Sequence, residues 1–152
     1  MKNFVIANPD GLVLDFRIYQ GKETFSDVAV NENVGLGGKA VLSFAKTIPR
    51  DAAIFCDRYF TSVHLLESLL NLSIYCSGTI MKNRCTSFQG KLISDKLMMK
   101  GDRGESDAVV SGGKDLCLVK WYDNKPITLM SSFIGIQPEG ECKHSSKRTV
   151  NS

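Results

Sequence analysis

The residue in this sequence best placed to do chemistry is Asp57. It closes a short apolar run, Ala52-Ala53-Ile54-Phe55-Cys56, and stands just before a Leu-rich segment. A carboxylate at the C-terminal end of a buried strand, followed by a helix, lies where open α/β sheets carry their functional groups. Such a group can ligate a hard cation or move a proton. The bland alternative is an Asp that starts the helix or pairs with Arg58. Other reactive types are less well arranged. His64 opens the Leu-rich segment with no nucleophile near it in sequence, so a dyad with Cys56 is not expected. Gly35, Gly37 and Gly38 lack the Gly-Lys-Ser/Thr that completes a phosphate loop. The five cysteines form no Cys-x-x-Cys pair. Cys56, Cys76 and Cys117 sit in apolar strand-like runs, where a thiol acts as a small buried hydrophobe. Cys142 and His144 offer two ligands where zinc wants four, or three plus water, and read as a solvated tail.

The second candidate is electrostatic. Residues 82–103 hold six Lys/Arg against two acids, an excess of +4 where the whole chain carries +3. Lys82 and Arg84 lead this stretch. Lysine and arginine can pair with phosphates and give salt-sensitive, sequence-blind affinity. A solvated basic loop is the competing reading. Trp121 and Tyr122 suit base stacking, but their apolar strand favours core packing.

Elements that must position these groups follow from the pattern. Asn3–Ala7 and Leu12–Tyr19 flank the turn signal Asn8-Pro9-Asp10-Gly11, which predicts an opening β-hairpin with Leu12, Leu14, Phe16 and Ile18 on one face. Residues 20–36 read as loop, and Lys39–Lys46 as a helix ended by Pro49. Ala52–Cys56 reads as a strand buried on both faces. Thr61 or Ser62 caps a helix whose apolar stripe is Val63, Leu65, Leu66, Leu69 and Leu70. Leu72–Ile80 is a further strand. Ser106–Ser111, Leu116–Tyr122 and Ile127–Phe133 are three more, the last two joined by a tight turn at Asp123–Pro126. The class is mixed α/β. A length of 152 residues with 43% hydrophobic and 23% charged content fits a single globular unit. No apolar run reaches the roughly 18 residues of a membrane span. The N-terminus builds no signal-peptide core, so the chain is expected inside the cell and not secreted.

Three blocks in register carry a resemblance. Cys56-Asp57-Arg58-Tyr59-Phe60-Thr61-Ser62, Gly78-Thr79-Ile80-Met81-Lys82-Asn83-Arg84 and Val119-Lys120-Trp121-Tyr122-Asp123-Asn124-Lys125-Pro126 look like the central part of piggyBac-type transposases and the host proteins derived from them. The similarity runs from about Lys2 to Cys142. Other members carry Asn at Arg58 and Arg at Met81. Arg103-Gly104-Glu105 resembles the family's Arg-Gly-Glu, here read as a turn with an ion pair.

The resemblance implies an RNase H-like core with an inserted, mainly β segment. It divides the chain into a partial core (1–81), a basic and β-rich insertion (82–135) and a polar basic tail (136–152). It implies a DDE-type active site in which three acids hold two Mg²⁺ ions, which sit about 4 Å apart and stabilise both oxygens of a phosphodiester exchange. Asp57 matches the second acid, as catalytic residue and metal ligand. The first acid is expected before the opening hairpin and the third beyond the last residue, so the hairpin is expected to have an unpaired edge. Asp10, Asp15 and Asp123 match no catalytic position. Mg²⁺ is therefore not expected to be held stably, and the isolated chain is expected not to transpose DNA. Lys82 and Arg84 match a DNA-contacting region. Nuclear localisation, DNA as partner, no membrane and a homodimer of the intact protein complete what the resemblance implies. The alternatives are a host-adapted, non-catalytic nucleic-acid-binding protein and a degraded copy without a selected role.

Overall fold

A computed structural model describes residues 2–28, 32–88, 90–112 and 115–135 of the chain. The tail with Cys142 and His144 lies outside them.

The opening hairpin pairs β1 (Lys2–Ala7) with β2 (Val13–Tyr19), Lys2 opposite Tyr19 and Val5 opposite Phe16. Its turn is closed by the Asn8 N–H donating to Leu12 O and the Gly11 N–H donating to Asn8 O, both at 2.9 Å. Gly11 takes φ +91°, a conformation that favours glycine. Leu12, Leu14, Phe16 and Ile18 do share a face, but it is the outer one, between 39% and 61% exposed. The inner face belongs to Phe4, which meets Phe25, Phe60 and Tyr19 edge-on at 5.6, 6.2 and 6.3 Å between ring centres. Along β2 the inward positions are Asp15, Arg17 and Tyr19, and Arg17 lies over the Phe44 ring.

Helix α1 spans Gly35–Phe44, starting earlier and ending sooner than the sequence pattern suggests. Lys22–Phe25 and Glu32–Val34 form short 3₁₀ turns inside what reads as loop. Glycine lowers helix propensity, which hides the first turn of this helix in the sequence. Its glycines serve close packing instead. A Cβ on Gly37 would stand 2.7 Å from Tyr59 O, and one on Gly38 would stand 2.3 Å from Val34 Cγ1.

Strands β3 (Ala53–Cys56) and β4 (Tyr75–Thr79) run parallel, Ala53 opposite Tyr75 and Cys56 opposite Gly78. Helix α2 (Val63–Leu70) connects them, as a parallel pair requires. Ser62, one of the two expected caps, accepts the Leu65 N–H at 3.2 Å. The expectation that β3 is buried on both faces fails. Ile54 is covered, whereas Ala53 and Phe55 face outward, Phe55 at 70% exposure. The core that covers β3 collects helix residues against the Ile54 side only. On the other side Phe55 meets little beyond Phe133, at 6.0 Å between ring centres.

Strands β5 (Ser106–Val110), β6 (Cys117–Tyr122) and β7 (Pro126–Ser131) form a meander, and β7 pairs antiparallel with β4. The result is a five-stranded sheet in the order β3-β4-β7-β6-β5 beside the two-stranded hairpin. The class is mixed α/β with two sheets. A four-residue helix, α3 (Asp95–Met98), precedes β5. Leu65, Leu66 and Leu69 of α2 are fully buried against Ile54, Ile74, Cys76, Leu118 and Met130. Helix α1 belongs to both cores. Val41 and Leu42 join the large one, while Ala40 and Phe44 join Phe4 and Phe25 under the hairpin.

Candidate functional site

Asp57 follows the last residue of β3, and Thr79 ends the adjacent strand β4, so the two meet at one sheet end. The Thr79 hydroxyl donates to Asp57 Oδ1 at 3.4 Å and the Arg58 N–H donates to the same oxygen at 2.5 Å. The carboxylate itself is exposed. Its backbone is tied into the turn that leads to α2. The Asp57 carbonyl accepts the Phe60 N–H at 2.9 Å, and the Thr61 N–H and hydroxyl at 3.2 and 3.1 Å. Thr61 thus anchors this turn and Ser62 caps the helix, two tasks that the sequence offers as alternatives for one.

Gly78 lets these pieces close. A Cβ there would sit 2.3 Å from Cys56 O and 2.5 Å from Thr61 Oγ1. The Gly-Thr pair therefore admits the β3 end with Gly78 and touches the carboxylate with Thr79.

Arg84 is drawn into the same loop. Its Nη1 donates to Tyr59 O at 2.6 Å and reaches Arg58 O at 3.5 Å. A residue that the sequence suggests for phosphate contact is here bonded to the loop behind Asp57. Lys82 is exposed and ion-paired with Asp95. Asp95 is also the partner of Lys120, which is only 8% exposed and donates to Ile93 O at 2.7 Å and to Asp95 Oδ1 at 3.1 Å. The hydrogen bond from Lys82, reinforced by Lys120, holds the Asp95 carboxyl below the usual carboxylate range. Sequence reasoning missed this pair, although a signal exists. Lys120 is in phase with Leu116 and Leu118 on the buried face of β6. Lys96 and Lys100 on and after α3 are exposed. Trp121, expected in the core, is 39% exposed because it alternates with Lys120. Arg103 ion-pairs with Asp123, a partner outside the Arg103-Gly104-Glu105 turn that the sequence reading did not name.

The Cys56 and Cys76 sulfurs lie 3.8 Å apart on neighbouring strands. The hydrogen bond to Cys56 and burial push the Cys76 thiol up, so it stays protonated at neutral pH. His64 faces Glu67 at 3.7 Å, with neither cysteine among the partners found for it. Neither group adds a ligand to Asp57. Among the described residues no three His, Cys, Asp or Glu side chains gather closely enough to hold a metal ion. One carboxylate whose Oδ1 already accepts two hydrogen bonds does not fit a two-ion centre. Among the described residues no helix is long and apolar enough to cross a membrane.

Comparison with known proteins agrees with these motifs. The family model described as Transposase IS4 matches residues 2–151. The human PiggyBac transposable element-derived protein 3 is 31% identical over 133 residues, which cover 84% of this chain and 21% of that protein. The human PiggyBac transposable element-derived protein 2 is 27% identical over 112 residues, 71% of this chain and 19% of that protein. The chain thus spans about a fifth of the length of these two relatives. A piggyBac transposase solved as a synaptic complex with hairpin DNA superposes with a TM-score of 0.59 at 24% identity, over 79% of this chain and 24% of that one, which is a likeness of fold. The chain belongs to the Transposase IS4 family, and within it to the piggyBac type.

Proposed function

We propose that this chain is the middle of a piggyBac-type transposase catalytic region and is catalytically incomplete by itself. Residues 1–81 are a partial RNase H-like core, 82–135 an inserted basic and β-rich segment, and 136–152 a polar tail. Asp57 is the second member of the acid trio. The observation that carries this reading is its position, on the loop after β3 and against the end of β4, with no group of three metal-ligating side chains among the described residues. No strand-transfer step is assigned to this chain, because no donor set for two Mg²⁺ ions is assembled among the described residues. The chain's contribution is to hold one carboxylate at a sheet end and to present a basic surface. Lys82 contributes to that surface with Lys96 and Lys100, while the role of Arg84 in it is reached through the loop it braces. DNA is the partner, bound through phosphates, with dimerisation a property of the full-length protein. The nucleus is the compartment this implies.

The test is direct. Purified chain with Mg²⁺ and hairpin or duplex DNA is expected to nick nothing and join nothing. Gel shifts are expected to weaken steeply between low and moderate salt. Mg²⁺-dependent cleavage lost in Asp57→Ala refutes the incomplete site. Absence of any shift at low salt refutes DNA binding. A host-adapted, non-catalytic DNA-binding role is the second reading. It is favoured by the relatives, which are themselves transposable element-derived human proteins.

A further inference from the structure

Two thiols lie side by side next to Asp57. Cys56 is the last residue of β3, and Cys76 lies on the neighbouring strand β4. Their sulfurs are 3.8 Å apart, and both are free. The register makes them diagonal neighbours: Cys56 stands opposite Gly78, and Cys76 opposite Ile54. With glycine opposite it, Cys56 meets no side chain directly across the ladder. The two thiols differ in access. Cys76 is fully buried, whereas Cys56 is half-buried and lines a groove of about 800 Å³ beside Val5, Phe44 and Asp57. The other described cysteines are placed differently. Cys85 faces the carbonyls of Met81 and Lys82 at 3.7 and 3.4 Å. Cys117 lies on the opposite face of the sheet from Cys76, because it pairs with Ser131 and Ser131 pairs with Ser77.

We infer that Cys56 and Cys76 form a peroxide-reactive dithiol site, with Cys56 as the attacking sulfur and Cys76 as the resolving one. The substrate class is a small hydroperoxide, which reaches Cys56 through the groove. The Cys56 sulfur attacks the peroxide. An S–O bond forms, the O–O bond breaks, and the thiol proton leaves with the alcohol, or with water when the oxidant is hydrogen peroxide. The Cys76 sulfur then attacks the sulfenic acid. The S–S bond forms, the S–O bond breaks, and hydroxide leaves as water with the Cys76 proton. Together the two thiols lose two electrons and one peroxide is reduced. The bridge has a structural consequence. Diagonal neighbours on adjacent strands stand roughly 7–8 Å apart at Cα, and a disulfide accepts up to roughly 6.8 Å. The sulfurs must also close from 3.8 Å to about 2 Å. Strand β4 is held between β3 and β7. The shift therefore falls on the end of β3, which carries Asp57 and its contact with the Thr79 hydroxyl. The inference uses neither DNA nor a metal ion, so its failure and that of the proposed function are separate.

The experiment uses the full chain, reduced, with hydrogen peroxide as the probe. Treated protein is alkylated, digested with trypsin without reduction and read by mass spectrometry. Trypsin places the two cysteines in separate peptides, 51–58 and 59–82, so the bridge appears as one cross-linked pair. The expected result is that pair as the main product, with the thiol count in denaturant falling by two from five. Amide resonances of Asp57–Thr61 and Thr79 should shift on oxidation and return with dithiothreitol. Cys76→Ser should stop at the sulfenic acid on Cys56, raising dimedone labelling there about tenfold over the parent chain. Cys56→Ser should leave Cys76 unmodified under the same treatment. The cross-link in the parent chain decides the proposal even if a variant fails to fold. A main product that joins Cys85, Cys117 or Cys142 overturns it, as does the persistence of all five thiols. A Cys56–Cys76 bridge that leaves the Asp57–Thr61 resonances in place overturns the coupling to Asp57.

Discussion

Replacing Gly78 with alanine isolates the contact on which the Asp57 turn is built. Gly78 does not use positive φ, so alanine meets no backbone penalty there. Fewer unfolded conformations would by themselves favour alanine by about 0.4–1 kcal/mol. Against this stands the overlap of the new Cβ with Cys56 O at 2.3 Å and Thr61 Oγ1 at 2.5 Å, where ordinary contact begins at 3.4 Å. The carbonyl belongs to a strand whose neighbour is already at ladder distance, so no side-chain rotation relieves it. The end of β3 must move by roughly 1 Å, at the upper end of the ~1–3 kcal/mol that overpacking costs. The net expectation is a loss of about 2 kcal/mol. Urea unfolding followed by circular dichroism, at a slope of about 1–3 kcal/mol per molar, should show the midpoint fall by about 1 M. Amide shifts should concentrate at Asp57–Thr61. Gly112→Ala, where nothing lies within 4 Å, is the control and should be neutral or slightly stabilising. A Gly78→Ala midpoint equal to or above that of the unaltered chain would refute the close-approach argument.

Asp95→Asn leaves buried Lys120 without its carboxylate and should destabilise by about 3 kcal/mol, the range for removing one partner of a largely buried pair; a cost below about 0.5 kcal/mol in the same assay contradicts it. Because Asp95 is held below its ordinary value, chiefly by Lys82, its contribution is complete above about pH 5 and is lost as pH falls below about 4. Stability measured across that window should drop less steeply in Asp95→Asn than in the parent chain. Arg84→Met removes a charge-assisted bond to Tyr59 O and should cost about 1.5–3 kcal/mol with resonance changes in the Arg58–Tyr59 loop; unchanged loop resonances would show that the guanidinium braces nothing. Ser62→Ala should cost about 1 kcal/mol through loss of the α2 cap, and an unchanged melting curve would exclude the cap.

Much of the fold can be read along the chain because its signals are local. The hairpin is legible from its turn residues and alternation, α2 from its cap and Leu stripe, and the β5–β7 meander from three apolar runs. The position of Asp57 after β3 is legible, and family membership is legible from three motifs in register. Only the second half of helix α1 is legible, since the glycines of its first half read as loop until Tyr59 and Val34 are brought against them. Nor is the task of Arg84, whose partners lie about 25 positions away in the chain.

Periodicity states which residues share a face, but it carries no information about which face finds a partner. That is why the richer apolar face of β2 ends in solvent while Phe4 takes the core, and why β3 covers Ile54 and leaves Phe55 out. The sequence alone determined most of the elements, their order and the carboxylate that closes β3. Only the tertiary structure decided which groups that carboxylate touches and that Lys120 is buried against Asp95. Those depend on contacts between distant segments, which form only once the sheets are in place.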